Sequence, residues 1–153
     1  MSWIYQPNKF VFLFISLIWI LVISSFSTTS FSASNTASYI ENFLHNIFPT
    51  LDITTIRFIH IMIRKTAHFT EFGILAILIF GIFTAKEQIW KLRWLVYTLF
   101  MITSIALLDE YHQGFVRNRN ASLEDSLLDI SGGITVLLII LLIKKNKFFK
   151  AEN

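Results

Sequence analysis

Four apolar runs divide the chain, and each is bounded by polar or basic residues. They cover about Phe10–Phe26, Phe69–Ala85, Leu92–Leu108 and Leu127–Ile143. A helix crosses the hydrocarbon core of a bilayer with about 20 apolar residues, and as few as about 17 suffice. The pattern therefore predicts four spanning helices. The first run follows Lys9, and its short apolar core with Ser32-Ala33-Ser34 beyond it also fits a cleaved signal peptide. Trp3 and Trp19 are placed as anchors of a retained helix, which is the expectation adopted.

Between the runs the pattern changes character. Ser27–Thr50 is polar and ends at Pro49, so it is read as a loop. Asp52 or Thr54 can cap a helix in which Ile53, Ile56, Ile59, Ile63 and Ala67 recur at helical spacing, with Arg57, His60 and Arg64 elsewhere on the wheel. That predicts an amphipathic surface helix running without a break into the second span. His60, like His45, is read as a surface residue. Lys86, Lys91 and Arg93 flank Trp90 and Trp94 in a short turn, which reads as an aromatic-belted cytoplasmic connection. Ser122 followed by Asp125 resembles a capping box that opens the fourth span, and Gly132-Gly133 suits close helix packing.

Composition agrees with the pattern. Of 153 residues, 54% are hydrophobic and 15% charged, with 16 Phe, and the mean hydropathy is +0.61. So apolar a chain is an integral membrane protein, and the expected fold is an all-α, four-helix transmembrane bundle with an amphipathic helix before the second span. One domain is expected over 1–153. A net charge of +3 with no basic, aromatic-interleaved face gives no reason to expect nucleic acid as a partner. The absence of cysteine excludes disulfides and thiolate metal sites. With the termini inside, the inner segments carry Lys9, Lys86, Lys91, Arg93, Lys144, Lys145, Lys147 and Lys150, and the outer ones Arg57, Arg64, Lys65, Arg117 and Arg119. The basic excess on the inner side predicts both termini in the cytoplasm.

Ionisable side chains are few, yet they gather in two clusters at the same predicted membrane level. One is Arg64-Lys65-Thr66-Ala67-His68-Phe69-Thr70-Glu71-Phe72, and the other begins at Asp109-Glu110-Tyr111-His112-Gln113. Each charge costs roughly 2.5–3.5 kcal/mol at the centre of an inserted helix, so such groups mark functional candidates. At helical spacing Lys65, His68 and Glu71 share a face, as do Asp109, His112 and Gln113, while Asp125 and Asp129 form an i,i+4 pair.

Three ordered motifs, Arg64-Lys65-x-Ala67-His68-Phe69-x-Glu71-Phe72, Asp109-Glu110-x-His112-Gln113-x-Phe115-Val116-x-x-Arg119 and Asp125-x-x-x-Asp129-x-x-Gly132, resemble those of the VanZ-like membrane family over about 63–141. Arg117-Asn118 stands where that family usually has Pro-Gly. The resemblance implies a small multi-pass protein of the bacterial cell envelope, and the family's namesake is an accessory protein that lowers susceptibility to teicoplanin, a glycopeptide antibiotic. Lys65, His68, Glu110, His112, Gln113, Arg119 and Asp125 match its motif positions.

The chemistry expected of these residues is recognition of an anionic membrane lipid or lipid-linked wall precursor, with Lys65 and Arg119 as hydrogen-bond donors to phosphate. Glu71, Asp109, Gln113, Asp125 and Asp129 are further candidates for the ligand site. If a reaction occurs on a lipid-linked phosphate, His112 held by Asp109 or Glu110 would act as base or nucleophile and His68 as acid. A metal site on Asp109-x-x-His112 and His68-x-x-Glu71 is an alternative that the nearby cations disfavour. A proton relay is disfavoured because no ionisable side chain lies between Tyr97 and Leu108 or between Ser131 and Ile143. No cofactor is indicated by the sequence.

Overall fold

The computed structural model describes residues 8–28, 33–85, 91–116 and 121–148. These fold into five helices: α1 (Lys9–Phe26), α2 (Ala33–Ile47), α3 (Ile53–Thr84), α4 (Leu92–Gln113) and α5 (Leu123–Phe148). No strand occurs among the described residues. Four of the helices, all but α2, are long and apolar enough to cross a membrane. Trp3, Lys86, Trp90, Arg117 and Arg119 lie outside the described residues.

The central element is α3, which packs against each of the other four helices. Its 32 residues give a rod of about 48 Å, longer than the roughly 30 Å hydrocarbon core. The amphipathic segment and the second span are thus one continuous helix, opened by Asp52. That side chain caps the helix, accepting the backbone N–H of Thr55 at 3.2 Å and the Thr55 hydroxyl at 2.6 Å.

The 27–50 stretch departs from the expected loop. Fifteen of its residues form α2, whose polar composition hides an amphipathic period. Ile40 and Leu44 are partly covered, while Tyr39, Phe43 and Ile47 form an exposed i,i+4,i+8 stripe. Thr36 and Glu41 tie α2 to α3: the Thr36 hydroxyl lies 3.1 Å from His60 Nε2, and Arg57 Nε approaches Glu41 Oε1 at 3.4 Å.

On the amphipathic part of α3, Ile56 is buried and Arg57 and Lys65 are exposed, yet much of the apolar surface also faces outward. Phe58, Ile61, Met62 and Ile63 are exposed, whereas His60 is buried at 4% exposure. In water this would be unfavourable, but beside lipid the apolar face belongs outside and the polar face inside.

The buried core joins Phe72, Leu75, Ala76 and Ile79 of α3 to Ile23 of α1, Ile102 and Ala106 of α4 and Leu137 of α5. Large residues such as Phe14, Phe100 and Leu142 face outward. Helices in lipid gain little from apolar burial and associate through close packing, so small residues mark their contacts. At Gly132 of α5 an added Cβ would collide with the carbonyl oxygen of Phe69, and at Gly133 it would stand 3.0 Å from the Ile102 side chain.

Candidate functional site

One end of the bundle collects the polar residues, where α1 finishes, α3 passes, α4 finishes and α5 begins. Asp109 stands on the last turn of α4, four residues before Gln113, which places both side chains on one face. Gln113 Nε2 donates to Asp109 Oδ2 at 2.7 Å and reaches Ser27 Oγ at 3.3 Å, while the Ser27 hydroxyl donates to the same Oδ2 at 2.8 Å. All three residues are buried. This network ties the end of α1 to α4.

Glu110, also buried, points to α5 instead. Its Oε1 accepts the backbone N–H of Ser122, which directly precedes α5. In a capping box that N–H would go to the carboxylate three residues on, here Asp125. Glu110 supplies the cap from the neighbouring helix, and Asp125 turns to a pocket. The expected capping box is therefore replaced by a cap supplied across helices.

His68 occupies the α3–α5 junction. Its Nδ1 lies 3.5 Å from Asp129 Oδ1 and 4.0 Å from Glu71 Oε2, and Asp129 is 1% exposed on its side chain. Trp19 of α1 donates its indole N–H to the Glu71 carbonyl at 3.0 Å, which fixes the turn of α3 that presents His68 and Glu71.

A pocket of about 190 Å³ opens beside His68, lined by His60, Arg64, Lys65, His68, Gln113 and Asp125 among others. It is the point where both sequence clusters meet. His60, Arg64 and His68 recur every four residues and so share one face of α3. Lys65, His68, Gln113 and Asp125 are thus brought together, with Glu71 and Asp129 behind His68. His112 is not among them: it lies exposed on α4, while Asp109, which was expected to hold it, engages Ser27 and Gln113. Among the described residues no group of three or more His, Asp or Glu side chains is gathered as a metal ion needs.

A model of the family described as VanZ/LLP1 matches residues 10–144. The chain belongs to the VanZ/LLP1 family. No curated protein and no solved structure matches it. The match begins at the first residues of α1, so it takes in the helix that carries Trp19 and the Ser27 that follows it, well before the motif stretch that starts near position 63.

Sequence reasoning missed two residues of this region. Ser27 gave no signal, since a serine after an apolar run is ordinary, and only folding carries it to Asp109, 82 positions away. His60 did give one. It stands four residues before Arg64 and eight before His68, but outside the motifs, so it reads as a surface residue until the packing of α2 and α3 buries it.

Proposed function

We propose that this protein binds the phosphate-bearing head of an anionic envelope lipid or lipid-linked wall precursor at the extracytoplasmic face of a bacterial membrane. The pocket on α3 supports this reading most. Two fixed cations, Arg64 and Lys65, and two imidazoles, His60 and His68, line it with a single carboxylate, Asp125. Arginine presents a fork of donors to phosphate and lysine a compact charge, and both are stronger where water is scarce. Arg119, the arginine of the second motif, lies outside the described residues and is a further candidate cation from the sequence alone. The basic excess on the opposite side supports a pocket outside and both termini in the cytoplasm.

A contribution to teicoplanin resistance follows if the ligand is the wall precursor. Native mass spectrometry of the protein extracted in its own lipids tests the binding. Wild type should retain a phosphate-bearing lipid that a Lys65→Ala, His68→Ala, Arg119→Ala variant loses. The same lipids on both proteins, with the variant merely less stable, would make the polar cluster a structural network.

A second reading, an enzyme acting on the same phosphate, is favoured by the His68–Asp129 pair. The buried Asp129 carboxyl faces Nδ1 at 3.5 Å without hydrogen-bond geometry, and closing that distance on ligand binding would fix the tautomer that leaves Nε2 able to take a proton. His68 then serves as the base, and Glu110 acts as a positioning residue by capping α5. His68→Gln should retain the ligand and abolish its conversion. Wild type that returns the bound lipid chemically unchanged after prolonged incubation rules out turnover and leaves binding intact.

A further inference from the structure

Three hollows on this protein join in series around α3. The cationic pocket of about 190 Å³ shares His60, Arg64 and His68 with a second, of about 200 Å³, which lies under Thr36 and Ile40 of α2. The second shares Phe26, Ala67 and Glu71 with a third, of about 610 Å³, between α1 and α3. The third is a different environment. It runs along α3 from Phe58 to Ile74, a rise of sixteen helical steps or about 24 Å, with Trp19 and Phe26 of α1 as its other wall.

The groove's walls are mostly apolar, and its polar lining is limited to Thr66, Thr70, Glu71 and the Trp19 indole. The Thr70 hydroxyl is committed to the Thr66 carbonyl at 2.7 Å, and the Trp19 N–H to the Glu71 carbonyl at 3.0 Å. Ligand sites are commonly about 300–1,000 Å³ with mostly apolar walls and few polar groups. The groove has that size and those walls, and its polar end opens toward the cations.

We propose that the groove between α1 and α3 is a hydrocarbon-chain subsite, so that the ligand is an amphiphile with one chain along α3 and its anionic head in the pocket beside His68. The proposal rests on the phosphate-binding reading for the head. Two features separate it from ordinary lipid contact. The groove and the cationic pocket each share lining residues with the hollow between them, and Thr36 and Ile40 of α2 line that hollow. Ala67 stands at the joint, so its small side chain keeps the passage open.

Two probes on the protein in phosphatidylcholine nanodiscs test it. Butyl phosphate, followed by phosphorus NMR line broadening, reports the head pocket without a chain. Dodecyl phosphate carrying a terminal diazirine, followed by peptide mass spectrometry after irradiation, reports where a chain lies. Wild type should broaden butyl phosphate and take the label on peptides containing Trp19–Phe26 and Phe58–Ile74. Ala67→Trp should lower that labelling at least tenfold while leaving the broadening unchanged, which also shows that the variant is folded. Broadening with label spread evenly over α1, α4 and α5, and unaltered in Ala67→Trp, overturns the chain subsite but leaves the head pocket standing. Absence of both broadening and localised label overturns both.

Discussion

Gly132 is the residue on which the closest helix contact depends. A Cβ there meets the backbone oxygen of Phe69, which cannot move aside as a side chain can, whereas at Gly73 the nearest atom is a Val136 methyl at 3.2 Å. Overpacking of this kind costs about 1–3 kcal/mol. Gly132→Ala should therefore lower thermal stability in detergent clearly more than Gly73→Ala, and equal shifts would mean that α3 and α5 separate without cost. The Asp109 network is the polar counterpart. A buried acceptor that loses a donor retains its desolvation cost, about 1–3 kcal/mol, so Ser27→Ala should destabilise although it removes one oxygen. Neither effect was readable in advance. Gly132-Gly133 suggested close packing without naming the partner, and Ser27 suggested nothing, because both depend on which neighbour folding supplies.

At the scale of elements, two helix starts are held by carboxylates in different ways. Asp52 caps α3 from its own chain, and the hydroxyls of Thr54 and Thr55 hold its pKa down at about 2, against an ordinary 3.8. A carboxyl depressed on folding stabilises above its unfolded pKa and loses that contribution as pH falls through the folded value. The cap is thus complete above about pH 4 and fades toward pH 2. Asp52→Asn should flatten the acid limb of the stability–pH curve in that interval, and an unchanged curve would remove Asp52 from the account. Glu110 caps α5 from a distance. Glu110→Ala should cost about 1–3 kcal/mol by leaving the Ser122 N–H without its acceptor, and Glu110→Gln should recover part of it because an amide oxygen can still accept. Equal losses in both would point to the charge rather than the cap. The Asp52 cap and the continuity of α3 were legible as local patterns. The Glu110 cap was not, since the local pattern named Asp125 for the same N–H, and α2 was hidden because its apolar residues are diluted by serine, threonine and asparagine.

For the whole molecule, four spanning helices must place their ends alternately, and the basic excess predicts which end is cytoplasmic. The chain contains no cysteine, so single introduced thiols report topology cleanly. Thr50→Cys should react with an impermeant maleimide on intact cells, while a cysteine at position 153 should react only after permeabilisation. The reverse pattern would move the cationic pocket to the cytoplasmic face and remove an extracytoplasmic wall precursor as its ligand.

The sequence by itself determined the class of fold, the four spans and the family, because hydropathy over about 20 residues and ordered motifs are local properties that survive without knowledge of contacts. It also pointed to polar residues from separate stretches gathering at one end of the bundle. Tertiary structure alone decided which of them meet. It brought Lys65, His68, Gln113 and Asp125 to one pocket with the unforeseen His60, turned Asp109 to Ser27 and Glu110 to Ser122, and left His112 at the surface. The physical reason is the same in each case. Spacing along a helix fixes the face a side chain shares, but the rotation of each helix against its neighbours decides what that face looks at. In a bundle that rotation is set by packing, here by the glycine contact of α5 with α3 and the indole bond of α1 to α3.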